Sequence, residues 1–350
     1  MRRVRRTVTG TALVSVAAVV AVLASLVPAG CSTAPTAREI IDRYPVKHLA
    51  FYDFHPETPV SERITDAPDE LLDLYEEAEG VRPIVYTPSS DERRQIAEAL
   101  ALLPLRHQEV LRDRLIAIYC IDEFAGTGMA DWVIGPHDTI YATLILHRRV
   151  FDTSAAELLE YRASSAFADT DDEIKVEIDL SESVSLLQYI TLHEVSHIVD
   201  YVDRDTPFVE PFLADLTGAS ARDTTFTDLV WRDYRSLRRE IGFRSQPLLS
   251  YYGLGGDPAL DDTEMEGVYR ELSGTPLASL YASLNWAEDF AEFVTFYYLV
   301  HVLGSGYSVR VVRGDDLLVE LHPMASPSVA DRIRFVDPTL VEPSATPLIY

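Results

Sequence analysis

The alternation of apolar and polar positions divides the chain into segments that predict strands and segments that predict helices. Residues 115–122 are almost continuously apolar, residues 138–151 are apolar and β-prone, and residues 173–180 alternate between apolar and polar. Runs of this length and period predict β-strands. Shorter strands are expected at 82–88 and within 126–135, where glycines bound an apolar run.

Helical spacing of apolar residues predicts helices on both sides of these strands. Four early helices are expected at 38–44, 67–79, 90–103 and 104–114. Residues 152–172, after the long apolar strand, are expected to form a loop. Residues 181–202 are apolar on nearly every side over about five helical turns, which predicts a central buried helix.

Residues 203–275 contain repeated Gly and Pro and are expected to be irregular, apart from one helix at 226–242. A last strong helix is predicted at 285–303. It is followed by two apolar runs, 307–312 and 317–323, which flank a turn and predict a hairpin. Most strands precede the central helix and the strongest helices follow it, which is the order of an α+β fold. No internal repeat or long linker follows residue 37, so residues 38–350 are expected to form one domain.

The first thirty residues have the pattern of an export signal, with a basic start, an apolar stretch and small residues before Cys31. Gly30-Cys31 resembles a bacterial lipobox, in which the cysteine is lipidated, although Pro28 departs from that pattern. Residues 31–37 would then be a polar tether. The prediction is an exported, membrane-anchored lipoprotein of the cell envelope. Cleavage after Ala29, which would give a secreted protein, and an uncleaved anchor are the alternatives.

The chain as a whole is strongly acidic. The sequence contains 30 Lys and Arg against 56 Asp and Glu, a formal net charge of -26. Such a balance disfavours nucleic acid and anionic membrane surfaces as partners through bulk electrostatics. It suits a soluble body exposed to the medium outside the cell.

The central helix carries a pattern that is specific to one kind of chemistry. His193 and His197 are four residues apart and therefore lie on one face of a helix, where both imidazoles can bind one zinc ion. Glu194 follows the first histidine and is placed to remove a proton from a water at that ion. The alternative is a buried helix that carries two hydrogen-bonded histidines.

A catalytic zinc site needs a third protein ligand. Asp203 lies ten residues after His193, but the helical pattern continues through Val202 and would carry Asp203 away from the ion. Glu288 and Glu292, four residues apart on the last helix, are better candidates because their neighbours are apolar and buried glutamates need a cationic partner. The alternative is that Asn285 caps that helix with Glu288 as its capping-box partner, and that Glu292 is solvated.

These features resemble the gluzincin metallopeptidases, and within them the catalytic domain of anthrax lethal factor. The match rests on His193-Glu194-Val195-Ser196-His197, on the later helix with Glu288, and on Tyr281 seven residues before that glutamate. The resemblance implies a zincin-like fold, in which a mixed sheet precedes a central helix. It also implies Zn²⁺ bound by His193, His197 and Glu288, Glu194 as general base, and Tyr281 as a group that assists the transition state.

The resemblance covers about a third of the chain, and the long separation of the two helices marks residues 203–275 as an insertion. Glu292, and less strongly Asp200, are candidates to accept the free ring N–H of a ligand histidine. The expected activity is hydrolysis of a peptide or protein substrate that lies along strand 138–150 or strand 173–180. A non-catalytic zinc-binding lipoprotein and an envelope binding protein without metal are the alternatives.

Overall fold

The computed structural model describes residues 37–124, 126–170, 173–208, 225–252 and 257–344. The predicted signal peptide, Cys31 and nearly all of the tether lie outside these residues. Within the described residues the α-helices are α1 (Ala37–Ile41), α2 (Asp69–Glu79), α3 (Ser90–Ala101), α4 (Leu105–Arg114), α5 (Ala155–Ser164), α6 (Leu186–Asp203), α7 (Thr225–Asp228), α8 (Met265–Leu272), α9 (Trp286–Tyr297) and α10 (Pro327–Ala330).

The strands in the same residues are β1 (Ile64–Thr65), β2 (Ile84–Val85), β3 (Leu115–Asp122), β4 (Gly128–Ile134), β5 (Ile140–His147), β6 (Phe167–Ala168), β7 (Ile174–Leu180), β8 (Trp231–Asp233), β9 (Ser236–Leu237), β10 (Leu260–Asp261), β11 (Tyr307–Arg313) and β12 (Asp316–Leu321). The fold is therefore α+β, as predicted. None of the described helices is long and apolar enough to cross a membrane.

The main sheet is mixed and has the strand order β1-β3-β5-β4, with β2 beside the end of β3. Strands β1, β3 and β5 are parallel, whereas β4 runs antiparallel to β5 and forms the edge of the sheet. The prediction that strand 138–150 offers a free edge is wrong, because β5 is paired on both sides. Its continuously apolar sequence reflects that interior position.

A second, antiparallel sheet has the order β12-β11-β7 and includes the predicted hairpin. Strand β7 lies at one edge of this sheet. Its edge is covered in part by α5, since the backbone N–H of Ile178 donates to Oε1 of Glu160 at 2.8 Å.

Helix α6 is the predicted central helix, and all but two of its residues are buried. It begins at Leu186 rather than at 181, because the hydroxyl of Ser185 accepts a hydrogen bond from the backbone N–H of Gln188 and caps the helix there. It ends where Arg204 adopts a left-handed conformation, with φ of 62°. The helix packs against β4 and β5 on one side and against α9 on another.

Two predicted elements differ in the structure. The predicted helix at 226–242 is only the short α7, followed by the hairpin β8-β9. The chain turns because Asp233 accepts a hydrogen bond from the backbone N–H of Arg235, and because Trp231 is drawn inward to donate to Asp289 at 2.8 Å. The predicted loop at 152–172 contains the helix α5, which begins with a capping box between Ser154 and Glu157.

Helix α9 is fixed in place by a buried ion pair at its first turn. The two Nη atoms of Arg332 each lie 2.7 Å from an oxygen of Asp289, and both side chains are at most 5% exposed. Such a bidentate pair joins the first turn of α9 to the segment around Arg332, because both charges must stay paired when buried.

Candidate metal centre

The structure brings three predicted metal-binding side chains together between α6 and α9. Nε2 of His193 lies 3.2 Å from Oε2 of Glu288, and Nε2 of His197 lies 3.5 Å from the same oxygen. One ligand atom from each side chain lies within 4.8 Å of the other two, and all three side chains are buried. Three donor atoms that share one small volume are the arrangement that a single cation requires.

The three ligand atoms are arranged for binding a cation rather than for hydrogen bonds among themselves. Oε2 of Glu288 is fully enclosed, yet it accepts no hydrogen bond of normal geometry within the described residues. Nδ1 of His193 lies 3.0 Å from Oε1 of Glu292 but likewise makes no hydrogen bond of normal geometry in the described part of the chain. The Glu292 carboxylate would keep a proton on Nδ1 and leave the Nε2 lone pair for a metal ion bound beside Glu288. Two imidazole nitrogens and a carboxylate oxygen suit zinc, so this group can hold a metal ion.

The charges around His193 favour a positive ion at this position. Burial opposes protonation of His193, but the carboxylates of Glu288 and Glu292 outweigh burial and raise its pKa to about 10. Burial likewise opposes ionisation of Glu288, but the imidazoles of His197 and His193 hold its pKa well below the usual range. When no metal ion is bound, a proton on His193 provides positive charge between these carboxylates.

Glu292 lies behind His193 and is held by several donors. Its carboxylate is completely buried. It accepts hydrogen bonds from Nη2 of Arg162 at 2.9 and 3.0 Å, from Oγ of Ser279 at 2.6 Å and from the hydroxyl of Tyr189. The alternative that Glu292 is solvated is therefore wrong. A carboxylate in this position fixes the ring orientation of a ligand histidine.

Glu194 is buried on the sheet side of the same helix. Its Oε2 accepts a hydrogen bond from the backbone N–H of Ala130 on β4 at 3.0 Å, and burial raises its pKa. Gly128 makes room for it, because a Cβ atom at that position would lie 2.8 Å from Cγ of Glu194 and 2.5 Å from Cγ2 of Ile190. A carboxylate with a raised pKa suits proton transfer near neutral pH.

Tyr281 lies in a turn of 3-10 helix just before α9, with its ring 6.5 Å from that of His193. The guanidinium carbon of Arg162 is 3.9 Å from the centre of the tyrosine ring. The Tyr281 hydroxyl makes no hydrogen bond to any residue that the structure describes, and burial raises its pKa well above the usual range. This hydroxyl has its proton available for another acceptor.

The other candidates lie outside the group of ligand atoms. Both oxygens of Asp200 are used by Thr206, at 2.6 and 2.7 Å, and the described hydrogen bonds of Asp200 join it to neither ligand histidine. Asp203 remains on α6 and is held by Arg106 at 2.6 and 2.7 Å.

Two further observations separate the ligand candidates from the alternatives. Oδ1 of Asn285 accepts from the backbone N–H groups of Ala287 and Glu288, so Asn285 is the cap of α9. Glu288 does not return a capping-box hydrogen bond; its side chain points to the histidines instead. Arg162, Tyr189 and Ser279, which all donate to Glu292, are site residues that the sequence did not indicate. The Ser-x-x-Glu spacing of Ser154 and Glu157 could have predicted the helix that carries Arg162. No feature of the neighbouring sequence indicates that Arg162 contacts Glu292.

Comparison of the chain with known protein families, with curated proteins and with solved structures found no match.

Proposed function

We propose that this protein is a zinc-dependent metallopeptidase. The proposal is carried by one observation, the convergence of His193, His197 and Glu288 with Glu194 beside them on the sheet side of α6. A site that only stabilises the fold has no use for a buried carboxylate next to the ligand atoms, whereas hydrolysis requires a base there. Zinc at such a site polarises a carbonyl group and makes a water molecule acidic enough to lose its proton near neutral pH.

The side chains of this protein then have separate tasks. Glu194 removes a proton from the attacking water and later delivers it to the leaving amine, a double use that its raised pKa favours. The hydroxyl of Tyr281 donates a hydrogen bond to the oxygen that becomes negative as the carbonyl is attacked. Oε1 of Glu292, 3.0 Å from Nδ1 of His193, attracts the N–H at that position and so favours one orientation of the ring.

The edge strand β4 is the proposed docking edge for an extended peptide. The backbone N–H of Ala130 points away from β5 and toward Glu194, so this edge of the sheet faces the catalytic carboxylate. Backbone groups on an unpaired strand edge bind peptides by extending the sheet. The end of β4 at Ile134 is bridged by His48, so the proposed docking segment is the end at Gly128 and Ala130. This assignment replaces strand 138–150, which is paired on both sides.

The proposed location follows from the sequence of the first 31 residues, which predicts export and a lipid on Cys31. The direct test of function is a zinc assay on the purified full-length protein, combined with hydrolysis of a mixed peptide library. We expect one zinc per chain, and hydrolysis that stops with a chelator and returns with zinc. A protein without zinc would leave the envelope binding protein as the remaining function. Bound zinc without hydrolysis would indicate the non-catalytic alternative.

A further inference from the structure

We infer that Arg162 is a positioning residue that acts on both His193 and Tyr281, and so couples the metal centre to the hydroxyl that assists the reaction. The inference rests on the proposed function and concerns a residue on α5, a helix that otherwise contributes nothing to the site. Its first link is through Glu292 to His193, and its second link is a direct contact with the ring of Tyr281.

The first link fixes the direction of one carboxylate. Nη2 of Arg162 lies 3.0 and 2.9 Å from the two oxygens of Glu292, and it also donates to the hydroxyl of Tyr189 at 2.7 Å. Together with Ser279, these donors hold Glu292 with its Oε1 atom 3.0 Å from Nδ1 of His193. Arg162 also balances the charge of a carboxylate that no solvent reaches.

The second link fixes the plane of one aromatic ring. The guanidinium carbon of Arg162 lies 3.9 Å from the ring centre of Tyr281. The Tyr281 hydroxyl has no hydrogen-bond partner among the described residues, so its direction depends on ring contacts, those of Arg162, Tyr251 and Tyr252. A cation over an aromatic face is attractive and sets the distance between the two planes.

Only an arginine can make both links at once. A planar guanidinium can donate to a carboxylate along its edge while its face packs on an aromatic ring. A lysine ammonium keeps the charge, but it ends about one bond short of Nη2, the nitrogen that donates to Glu292, and it has no flat face to pack on the ring of Tyr281. Arg162→Lys therefore removes the geometry of both links and leaves the charge balance with Glu292.

The same helix that carries Glu292 provides a matched control. Arg332 forms a buried bidentate pair with Asp289, and its guanidinium carbon lies 3.8 Å from the ring centre of Phe226. Its side chain is 5% exposed, against 6% for Arg162, and each partner carboxylate is 0% exposed. The two arginines differ in that Arg332 contacts none of the proposed site residues. Arg332→Lys thus reports the cost of loosening a buried ion pair on α9.

The experiment measures the zinc affinity of full-length wild type, Arg162→Lys and Arg332→Lys by competition with a chromogenic chelator, and thermal unfolding in the presence of EDTA. We expect Arg162→Lys to lower zinc affinity by about 10–100-fold, the usual loss when a partner of a ligand histidine is disturbed. Arg332→Lys should change it by no more than about twofold, because the lysine keeps a positive charge beside Asp289 and Arg332 makes no described hydrogen bond or ring contact with a ligand side chain. Both variants should unfold at a lower temperature without zinc.

A second readout addresses Tyr281. At saturating zinc, Arg162→Lys should lower kcat more than it raises KM, and adding Tyr281→Phe to it should cost less in kcat than adding Tyr281→Phe to the wild type. If Arg162→Lys does not fold, Ser279→Ala removes one donor to Glu292 with little change in volume. It should lower zinc affinity by less than Arg162→Lys would, but in the same direction.

Each result decides between named outcomes. Equal losses of zinc affinity in Arg162→Lys and Arg332→Lys, or no loss in Arg162→Lys or in Ser279→Ala, would overturn the role of Arg162 while the proposed peptidase stands. Fully additive effects of Arg162→Lys and Tyr281→Phe on kcat would overturn the second link. A wild-type protein that binds no zinc would overturn the proposed function, and the inference with it.

Discussion

The carboxylate of Glu194 accepts a hydrogen bond of 3.0 Å from the backbone N–H of Ala130, so the proposed base is anchored to the edge strand of the sheet. The proposed base is thus a residue of α6 that is held in place by the backbone of β4. Because the peptide substrate is proposed to lie along β4, the same strand would position both the substrate and the base. Substitutions on α6 and β4 can therefore be divided into those that lower zinc affinity and those that lower the rate of hydrolysis at unchanged zinc affinity.

The first prediction removes the base and keeps the shape. Glu194→Gln retains an oxygen that can accept from Ala130, so the protein should fold normally and bind zinc with wild-type affinity. Hydrolysis should fall by about 10²–10⁴-fold, because an amide cannot take up the proton of the attacking water. Zinc titration and peptide cleavage on the same preparations measure the two effects. Wild-type cleavage by this variant would refute the mechanism.

The second prediction ranks the carboxylates by their effect on zinc affinity. Glu288→Ala should lower it most, because it removes a donor atom that faces both histidines. Glu292→Ala should lower it by about 10–100-fold, as expected for a partner of a ligand histidine. Asp203→Ala should leave it nearly unchanged, since Asp203 is held by Arg106. Chelator competition places all three on one scale. A larger loss for Glu292→Ala than for Glu288→Ala would move the third ligand by one turn.

The third prediction concerns the space that Gly128 leaves for Glu194. In Gly128→Ala the new Cβ atom would come within 2.8 Å of Glu194 Cγ, so the carboxylate must shift. Displacements of about 1 Å at a catalytic group can cost about 10²-fold in rate, and we expect a loss of that order with unchanged zinc affinity.

The control for this substitution is Gly267→Ala on α8, where a Cβ atom would meet nothing within 4 Å. It should retain full activity and gain slightly in stability, because alanine is favoured over glycine within a helix. Equal activity in Gly128→Ala and Gly267→Ala would show that the position of Glu194 tolerates the extra methyl group.

The fourth prediction is the pH dependence of zinc binding. Because Glu288 and Glu292 raise the pKa of His193 to about 10, that imidazole carries a proton at pH 7 which zinc must displace. The sign follows directly: a lower pH strengthens the competing proton and weakens zinc binding. Affinity should rise about tenfold per pH unit between pH 7 and 9. In Glu292→Gln the rise should level off at a lower pH, because one of the raising carboxylates is neutral. A flat profile in the wild type would contradict the proton on His193.

The fifth prediction tests the location. Cys31→Ala should release the protein from the membrane fraction and abolish incorporation of labelled palmitate, because the lipid is attached through that sulfur. Membrane fractionation and labelling in intact cells measure both effects. Unchanged fractionation, together with a mature N-terminus after Ala29, would identify an ordinary signal peptide.

Local patterns in the sequence were sufficient for much of the fold and for part of the site. The buried strand β3 begins and ends where the apolar run predicts, and His193 and His197 share a helix face because their spacing is local. The network around Glu292 could not be predicted in the same way. Arg162 and Glu292 are 130 residues apart, and only the tertiary fold, in which α5 packs on β7 and α6, brings the two side chains into contact.

The hairpin β8-β9 is a case in which a local helical pattern gave the wrong prediction because a tertiary contact was stronger. Residues 226–242 have the spacing of a helix, but Trp231 is held by Asp289, a residue of another helix. A single buried hydrogen bond to a charged group contributes about 1.5–3 kcal/mol, which is comparable to the summed helix propensity of a short segment. The partner of Trp231 is distant in sequence, so the competition could not be resolved from the segment itself.

The two helices of the site, α6 and α9, are far apart along the chain, and this separation would determine at which stage of folding a metal ion could bind. The unfolded chain offers His193 and His197 as a local pair, but the carboxylate of Glu288 joins them only after loop closure across the intervening residues. Zinc would therefore bind the folded chain far more tightly than the unfolded one. At a thousand times its Kd, zinc would add about 4 kcal/mol to the free energy of unfolding. The zinc concentration in the compartment where the chain folds would then set how long the protein stays folded.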